Sequence, residues 1–265
     1  MKKTFLNEII MSDNPLFNYN NLIILVPELR DCVKCNQNKY HSKNVFGHIM
    51  DVVMSCEKDL ILKLAALFHD IGKPKVKTYH CPDCDKKYLD RPFHCGKKFD
   101  DINCHFYQHE VESGKMIQKI MERLEYNENI IYNVRILVED HMFPFDMNKK
   151  TVKKLIKRVG KNNIVNLIKL RIADIMGSKN DSISDLKKTR KMLDIMSEII
   201  EEDESFTIKD LAINGKDVIE ILNIKPSKIV GEILKTLLEE VKNNPEKNNR
   251  ECLLEMICLY DQTYK

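Results

Sequence analysis

The adjacent pair His69-Asp70 closes the segment DLILKLAALFHD (59–70), the most hydrophobic helical stretch of the 265-residue chain. An imidazole and a carboxylate at the end of an apolar helix are costly unless something satisfies them. A divalent metal ion would do so. Other His and Asp residues also fall on apolar helical faces. His48 shares a face with Val45, Ile49 and Val52, and His109 opens a segment whose inner face is Ser113, Met116, Ile117, Ile120 and Leu124. His141 follows Val134, Leu137 and Val138 at helical spacing, and Asp174 follows Leu167 and Leu170 in the same way. Singly, each reads as a hydrogen-bonded core residue; six together read as ligands. Four imidazoles and two carboxylates suit two borderline ions with Asp70 bridging, favouring iron, manganese, nickel, cobalt or zinc over magnesium or calcium.

A second group is made of thiols. Cys81-Pro-Asp-Cys84, followed by Cys95 and Cys104, has the spacing of a zinc ribbon, in which a tight turn brings two sulfurs to one ion. A structural zinc there would replace the core that so short a segment lacks. His80, His94 and His105 compete as ligands, so the second half of the set stays open. Lys86, Lys87, Arg91, Lys97 and Lys98 make the segment basic, which suits RNA contact. Cys32 and Cys35 form another Cys-x-x-Cys with no second pair nearby and are read as incidental. Cys56, Cys252 and Cys258 fall in apolar helical patterns and are expected in the core.

Helices must position these groups. Apolar residues recur at i, i+3 and i+4 over 45–56, 59–70, 109–125, 128–142, 150–159, 162–178, 183–202, 215–223, 227–243 and 249–262. No alternating strand pattern rivals them, so the expected fold is all-α. The expected domains are 1–204, holding the ligand set and the cysteine-rich insertion 79–106, and a helical C-terminal subdomain, 205–265. The Lys/Glu-rich helices after residue 150 are read as solvated faces. Forty-three Lys and Arg against 40 Asp and Glu give a net charge of +3, which makes no case for a protein that coats nucleic acid generally. No stretch has the length and apolarity of a membrane span, and no export signal opens the chain, so a cytoplasmic location is expected. Nine cysteines then read as metal ligands or buried thiols before disulfides.

The order His48, His69-Asp70, His109, His141, Asp174 resembles the signature of the HD-domain metal-dependent phosphohydrolases. The blocks NQNKYHSKNVFGHIMDVV, LAALFHDIGKPK, HFYQHEVESGKMI, ILVEDHMFP, LRIAD and DLAINGKDVIEILNIKPSKIVGEILKTLLEEV are similar, in order, to the HD-containing C-terminal half of bacterial CCA-adding tRNA nucleotidyltransferases. The resemblance implies an HD-type helical bundle. It also implies His48, His69, Asp70 and Asp174 as a first metal site, with His109 and His141 holding a second ion. Asp140 departs from the family, which often has a second histidine there. Two ions would lower the pKa of a bridging water for in-line attack on phosphorus. Asp70 and Lys73 are then the catalytic candidates. Lys73, with Arg171 and Arg135 behind it, is the candidate for binding phosphate, the alternative for Lys73 being a solvated lysine at a helix end. His41 is equally readable as cleft or loop.

The Gly-Ser loop and strand-borne carboxylate pair of a nucleotidyltransferase are not found in this sequence, so the expectation is hydrolysis rather than CCA addition. The resemblance points to 2′,3′-cyclic phosphates and 2′-phosphates of nucleotides or RNA ends as substrates. Cyclic mono- or oligonucleotide diesters are an enzymatic alternative. A tRNA- or RNA-binding module, using the cysteine-rich insertion and the tail, is the non-catalytic one.

Overall fold

The computed structural model describes residues 1–38, 42–81, 86–89, 93–94, 97–98, 104–144, 147–178, 182–205 and 207–263. The described chain is mainly helical and divides into two compact units, 1–193 and 194–265. No described helix is long and apolar enough to cross a membrane.

Unit one starts with three short helices, α1 (Lys2–Met11), α2 (Tyr19–Leu25) and α3 (Leu29–Lys34). No sequence pattern had singled these out. They are held by tertiary burial of Leu6, Ile9, Ile10, Leu22 and Leu29 rather than by a long amphipathic repeat. Next, α4 (Val45–Ser55) begins where the Asn44 side chain accepts from Gly47 N at 2.7 Å, and α5 (Leu60–Phe68) where Asp59 accepts from Leu62 N at 2.8 Å. Each such cap satisfies a backbone donor that the first turn would otherwise orphan. All seven residues from Leu62 to Phe68 are buried, and α5 packs against α1, α4 and two later helices, α8 (Glu128–Asp140) and α10 (Lys161–Gly177). Burying each large apolar side chain contributes about 1.5–3 kcal/mol. That gain is what allows charged groups at the end of α5 to be carried inside.

After the short α6 (Lys73–Val76), the cysteine-rich segment is β-structured where it is described. β1 (Thr78–Cys81) pairs antiparallel with β2 (Lys86–Leu89) on one side and with β5 (Cys104–His105) on the other, while β3 (Phe93–His94) pairs with β4 (Lys97–Lys98). The remaining helices of this unit are α7 (His109–Arg123), packed on α8, and α9 (Lys149–Val159), capped by Asn148. Gly160, at φ 87°, turns α9 directly into α10.

α11 (Ser182–Ser205) runs across the boundary of the two units. In unit two, α12 (Gly215–Leu222), α13 (Lys228–Asn243) and α14 (Arg250–Thr263) enclose a core of Val218, Val230, Leu234, Leu237, Leu253 and Ile257. Asn214 and Asp217 form a reciprocal capping box on α12. The expectation for the tail cysteines needs correcting. The buried face of α14 carries Leu253 and Ile257, which leaves Cys252 half-buried and Cys258 exposed; Cys56 is buried as expected.

Candidate metal centre

Helix ends, not helix middles, supply most of this site. His69 is the C-cap of α5, Asp70 begins the turn into α6, and His109 is the first residue of α7. His141 is the C-cap of α8, and Asp174 lies in the last turn of α10; only His48 comes from a helix interior, in α4. None of the six is more than 9% exposed. The turn after Asp70 is fastened to α7 by Ser113, which accepts from Gly72 N and donates to His69 O, both at 2.9 Å.

The sequence-predicted ligands converge. The ligand atoms of His48, His69 and Asp174 lie within 4.8 Å of one another, and so do those of Asp70, His109 and His141. Asp70 spans the two groups: Oδ2 is 3.4 Å from His48 Nε2 and 3.2 Å from His69 Nε2, while Oδ1 is 3.2 Å from His109 Nε2.

The imidazoles are turned the same way. Their Nδ1 atoms face backbone carbonyls: His48 that of Gly177 at 3.2 Å, His69 that of Ala66 at 2.8 Å, His109 that of Phe106 at 2.8 Å and His141 that of Val138 at 2.7 Å. A carbonyl only accepts, so Nδ1 carries the proton and the neutral ring's lone pair sits on Nε2. All four Nε2 atoms point inward, with His48 and His69 Nε2 3.2 Å apart and His109 and His141 Nε2 3.3 Å apart. Neutral rings of that tautomer cannot hydrogen-bond to each other through Nε2. A cation between them resolves the conflict, and the carbonyl-held Nδ1–H is the outer support that metal-binding histidines ordinarily have.

The electrostatics agree. Burial alone would push the carboxyl of Asp70 up, but His69, Lys73 and His109 hold it well below the ordinary range. Asp174 behaves alike: burial opposes ionisation, and His48, His69 and Arg171 outweigh it. Burial, with His69 and His109 beside it, depresses His141 to about 3, which keeps that ring neutral. His48 is pulled the other way, its burial outweighed by Asp174 and Asp70. Both Asp70 oxygens are buried without a hydrogen bond of acceptable geometry, although the Lys73 ammonium lies 2.6 Å from Oδ2. An ionised, buried carboxylate with unused lone pairs among imidazole nitrogens fits a divalent ion of the borderline class.

Of the phosphate-binding candidates, Lys73 is no solvated lysine. It is 6% exposed, held between Asp70 and the Oε1 of Gln37 at 2.8 Å, with the Phe106 ring 5.4 Å away. Arg171 donates to Asp174 Oδ2 at 2.8 Å and reaches Met142 Sδ. Arg135 instead lies beside Glu139, 3.7 Å away on its own helix. Asp140, the family departure, turns to Arg158 on α9. Gln37 was missed; a lone amide in a polar loop carries no periodic signal. His41, Cys84 and Cys95 lie outside the described residues. Cys81 ends β1, and Cys104 is buried on β5 opposite Tyr79.

Residues 106–257, more than half of the chain, match the family described as tRNA nucleotidyltransferase domain 2. The chain belongs to this family. His109, His141 and Asp174 lie inside the family segment, and His48, His69 and Asp70 precede it. Over 223 residues the chain is 24% identical to the A-adding tRNA nucleotidyltransferase of Deinococcus radiodurans. That similarity takes in 82% of this chain and 47% of the relative, so the chain spans about half the length of the curated protein it matches.

Proposed function

We propose that this member of the tRNA nucleotidyltransferase domain 2 family is a metal-dependent phosphohydrolase of the HD type, acting on phosphate esters of nucleotides or RNA ends. The observation that carries this reading is the orientation of four imidazole Nε2 atoms and a doubly shared Asp70 carboxylate toward one buried centre. His48, His69, Asp70 and Asp174 would hold one ion, and Asp70, His109 and His141 a second. Divalent cations of this class supply Lewis-acid activation of water and neutralise charge developing on a phosphoryl group. The chain's own residues do the rest. The carbonyl contacts fix the rings, Asp70 joins the two ligand sets, and Lys73 and Arg171 place positive charge beside the carboxylates, where a substrate phosphate would meet them. A relative named for tRNA favours an RNA end as substrate. Cys81, Cys84, Cys95 and Cys104 are proposed as a separate structural zinc site.

The test is metal content by mass spectrometry, with hydrolysis of 2′,3′-cyclic nucleotides, cyclic dinucleotides and p-nitrophenyl esters by protein loaded with manganese, iron, nickel or cobalt. Hydrolysis that His69→Ala abolishes supports the reading. No hydrolysis of any of these, with two ions bound, leaves the RNA-binding module, which the family membership also favours.

A further inference from the structure

α9 (KKTVKKLIKRV) has a different charge pattern from the other helices of its unit. It holds six cationic residues and no acid, while the whole chain is only +3, so the rest of the protein sums to a net negative charge. Its apolar face, Val152, Leu155, Ile156 and Val159, is buried. Lys150, Lys154 and Lys157 follow one another at i+4 and i+3 and are all exposed. Like charges at those spacings face each other along one ridge and repel by about 0.2–0.5 kcal/mol per pair. Elsewhere in the unit, the exposed Lys75 and Lys115 both have a carboxylate at hand in Glu112. Within α9 no residue can play that part.

The ridge also has a place. Lys154 lines a cleft of about 360 Å³ between α9 and the end of α8, together with Glu110, Glu139, Met142, Phe143 and the Asp140–Arg158 ion pair. Glu110 adjoins His109, and Asp140 and Met142 flank His141, so the cleft runs beside the second ligand set. A volume of that order accommodates a small organic ligand, and its walls mix apolar and charged side chains.

We propose that α9 is the surface on which a single-stranded RNA backbone lies, with the nucleoside at its end in the adjoining cleft. Lys150 to Lys157 spans about 10 Å at 1.5 Å per residue, enough to meet more than one phosphate. The charge of the lysine ridge selects the polyanion. The adjoining cleft, which carries Glu110, Glu139 and Asp140, takes the nucleoside rather than a phosphate and sets the strand's polarity, with the end toward the metal centre. This deepens the hydrolase reading and rests on it only for the end that is presented; the contact itself does not require catalysis.

The experiment measures binding of a fluorescent 12-nucleotide single-stranded RNA by the full chain, across a series of salt concentrations. The variant is Lys150→Glu/Lys157→Glu, with Lys150→Gln/Lys157→Gln as the milder form and Lys2→Glu/Lys119→Glu as a control of equal charge change. Circular dichroism verifies folding of each. The expected result is a loss of tenfold or more in affinity for the Glu variant, a smaller loss for the Gln variant, and little change for the control. The slope of log K against log salt should fall by about 1.4, at about 0.7 per phosphate lost on a single strand. No binding by the wild type, or equal losses in variant and control, overturns the proposal. Failure of the hydrolase reading is separate: RNA held through α9 by a protein that cleaves no ester loses the enzyme and keeps this surface. Mononucleotide hydrolysis with RNA binding indifferent to α9 does the reverse.

Discussion

His109 Nε2 and His141 Nε2 face each other at 3.3 Å, while each ring's Nδ1 is committed to a backbone carbonyl. Two neutral rings of this tautomer aim their lone pairs at one point, an arrangement that a cation between them would satisfy. Chelation should therefore lower the melting temperature of the protein. An ion present at a hundred times its dissociation constant stabilises by about 2.7 kcal/mol, and each kcal/mol moves the midpoint by about 2–4 °C for a unit of this size. The expected drop is several degrees, and His109→Ala should lose one ion while keeping the other. Scanning calorimetry with and without chelator checks the first. An unchanged midpoint on chelation would count against a metal centre here.

Gly72 is needed for closeness rather than for backbone freedom, since its φ of −81° suits any residue. A Cβ there would lie 2.6 Å from Ser113 N and 2.8 Å from His109 O, both backbone atoms that cannot swing aside. Gly72→Ala must push α7 away from the Asp70 turn, at a cost of about 1–3 kcal/mol. Because His109 rides on α7, the variant should also bind its second ion more weakly than its first. Urea unfolding and a metal titration give the two numbers.

In the metal-free protein, His141 makes stability depend on pH with a definite sign. Its folded pKa, about 3, lies below the ordinary value of 6.5. Between those limits the unfolded chain binds the proton more readily, so stability is full above about pH 6.5 and falls as pH drops toward 3. His48, with its pKa raised, contributes in the opposite sense and loses its share as pH rises through that value. Replacing His141 with Leu should flatten the decline between pH 6.5 and 4. Urea midpoints in chelator at several pH values would show it; an equally steep decline in the variant assigns the loss to other groups.

The six residues that converge at the candidate centre were legible in the sequence because each breaks or ends an apolar helical face, and periodicity exposes such a break. The long helices were legible for the same reason: the pattern over 128–142 predicts α8, which runs from Glu128 to Asp140. What was hidden depends on contacts between distant residues. α2 and α3 are too short to show a period, and α1, whose Leu6, Ile9 and Ile10 fall at i, i+3 and i+4, carries a single such set, which shows its weight only where the core receives it. Gln37 acts through Lys73, 36 residues away, and a single amide in a loop gives no warning of that. Arg135 shows the converse. A cation near a ligand in sequence looked useful, yet its helix position brings it to Glu139. Nearness in sequence is not a shared face: the i+4 spacing to Glu139 sets Arg135 beside that carboxylate.

Lys73 ties the centre's charge to its stability. Its ammonium is 2.6 Å from Asp70 Oδ2 and donates to Gln37 Oε1, so in the metal-free protein it helps, with His69, to neutralise a fully buried carboxylate. Removing one member of a buried pair costs about 3–5 kcal/mol, because the other is left charged and uncompensated. Lys73→Met should accordingly weaken the metal-free protein severely. Bound cations compensate Asp70 by themselves, so manganese or nickel should restore much of the loss and raise the variant's midpoint by more than it raises the wild type's. Gln37→Leu leaves the ion pair in place and should show only a small version of the effect. Equal increments on metal addition in wild type and Lys73→Met would mean that Lys73 and the cations do not share Asp70, and the bridging role assigned to that carboxylate would fall with it.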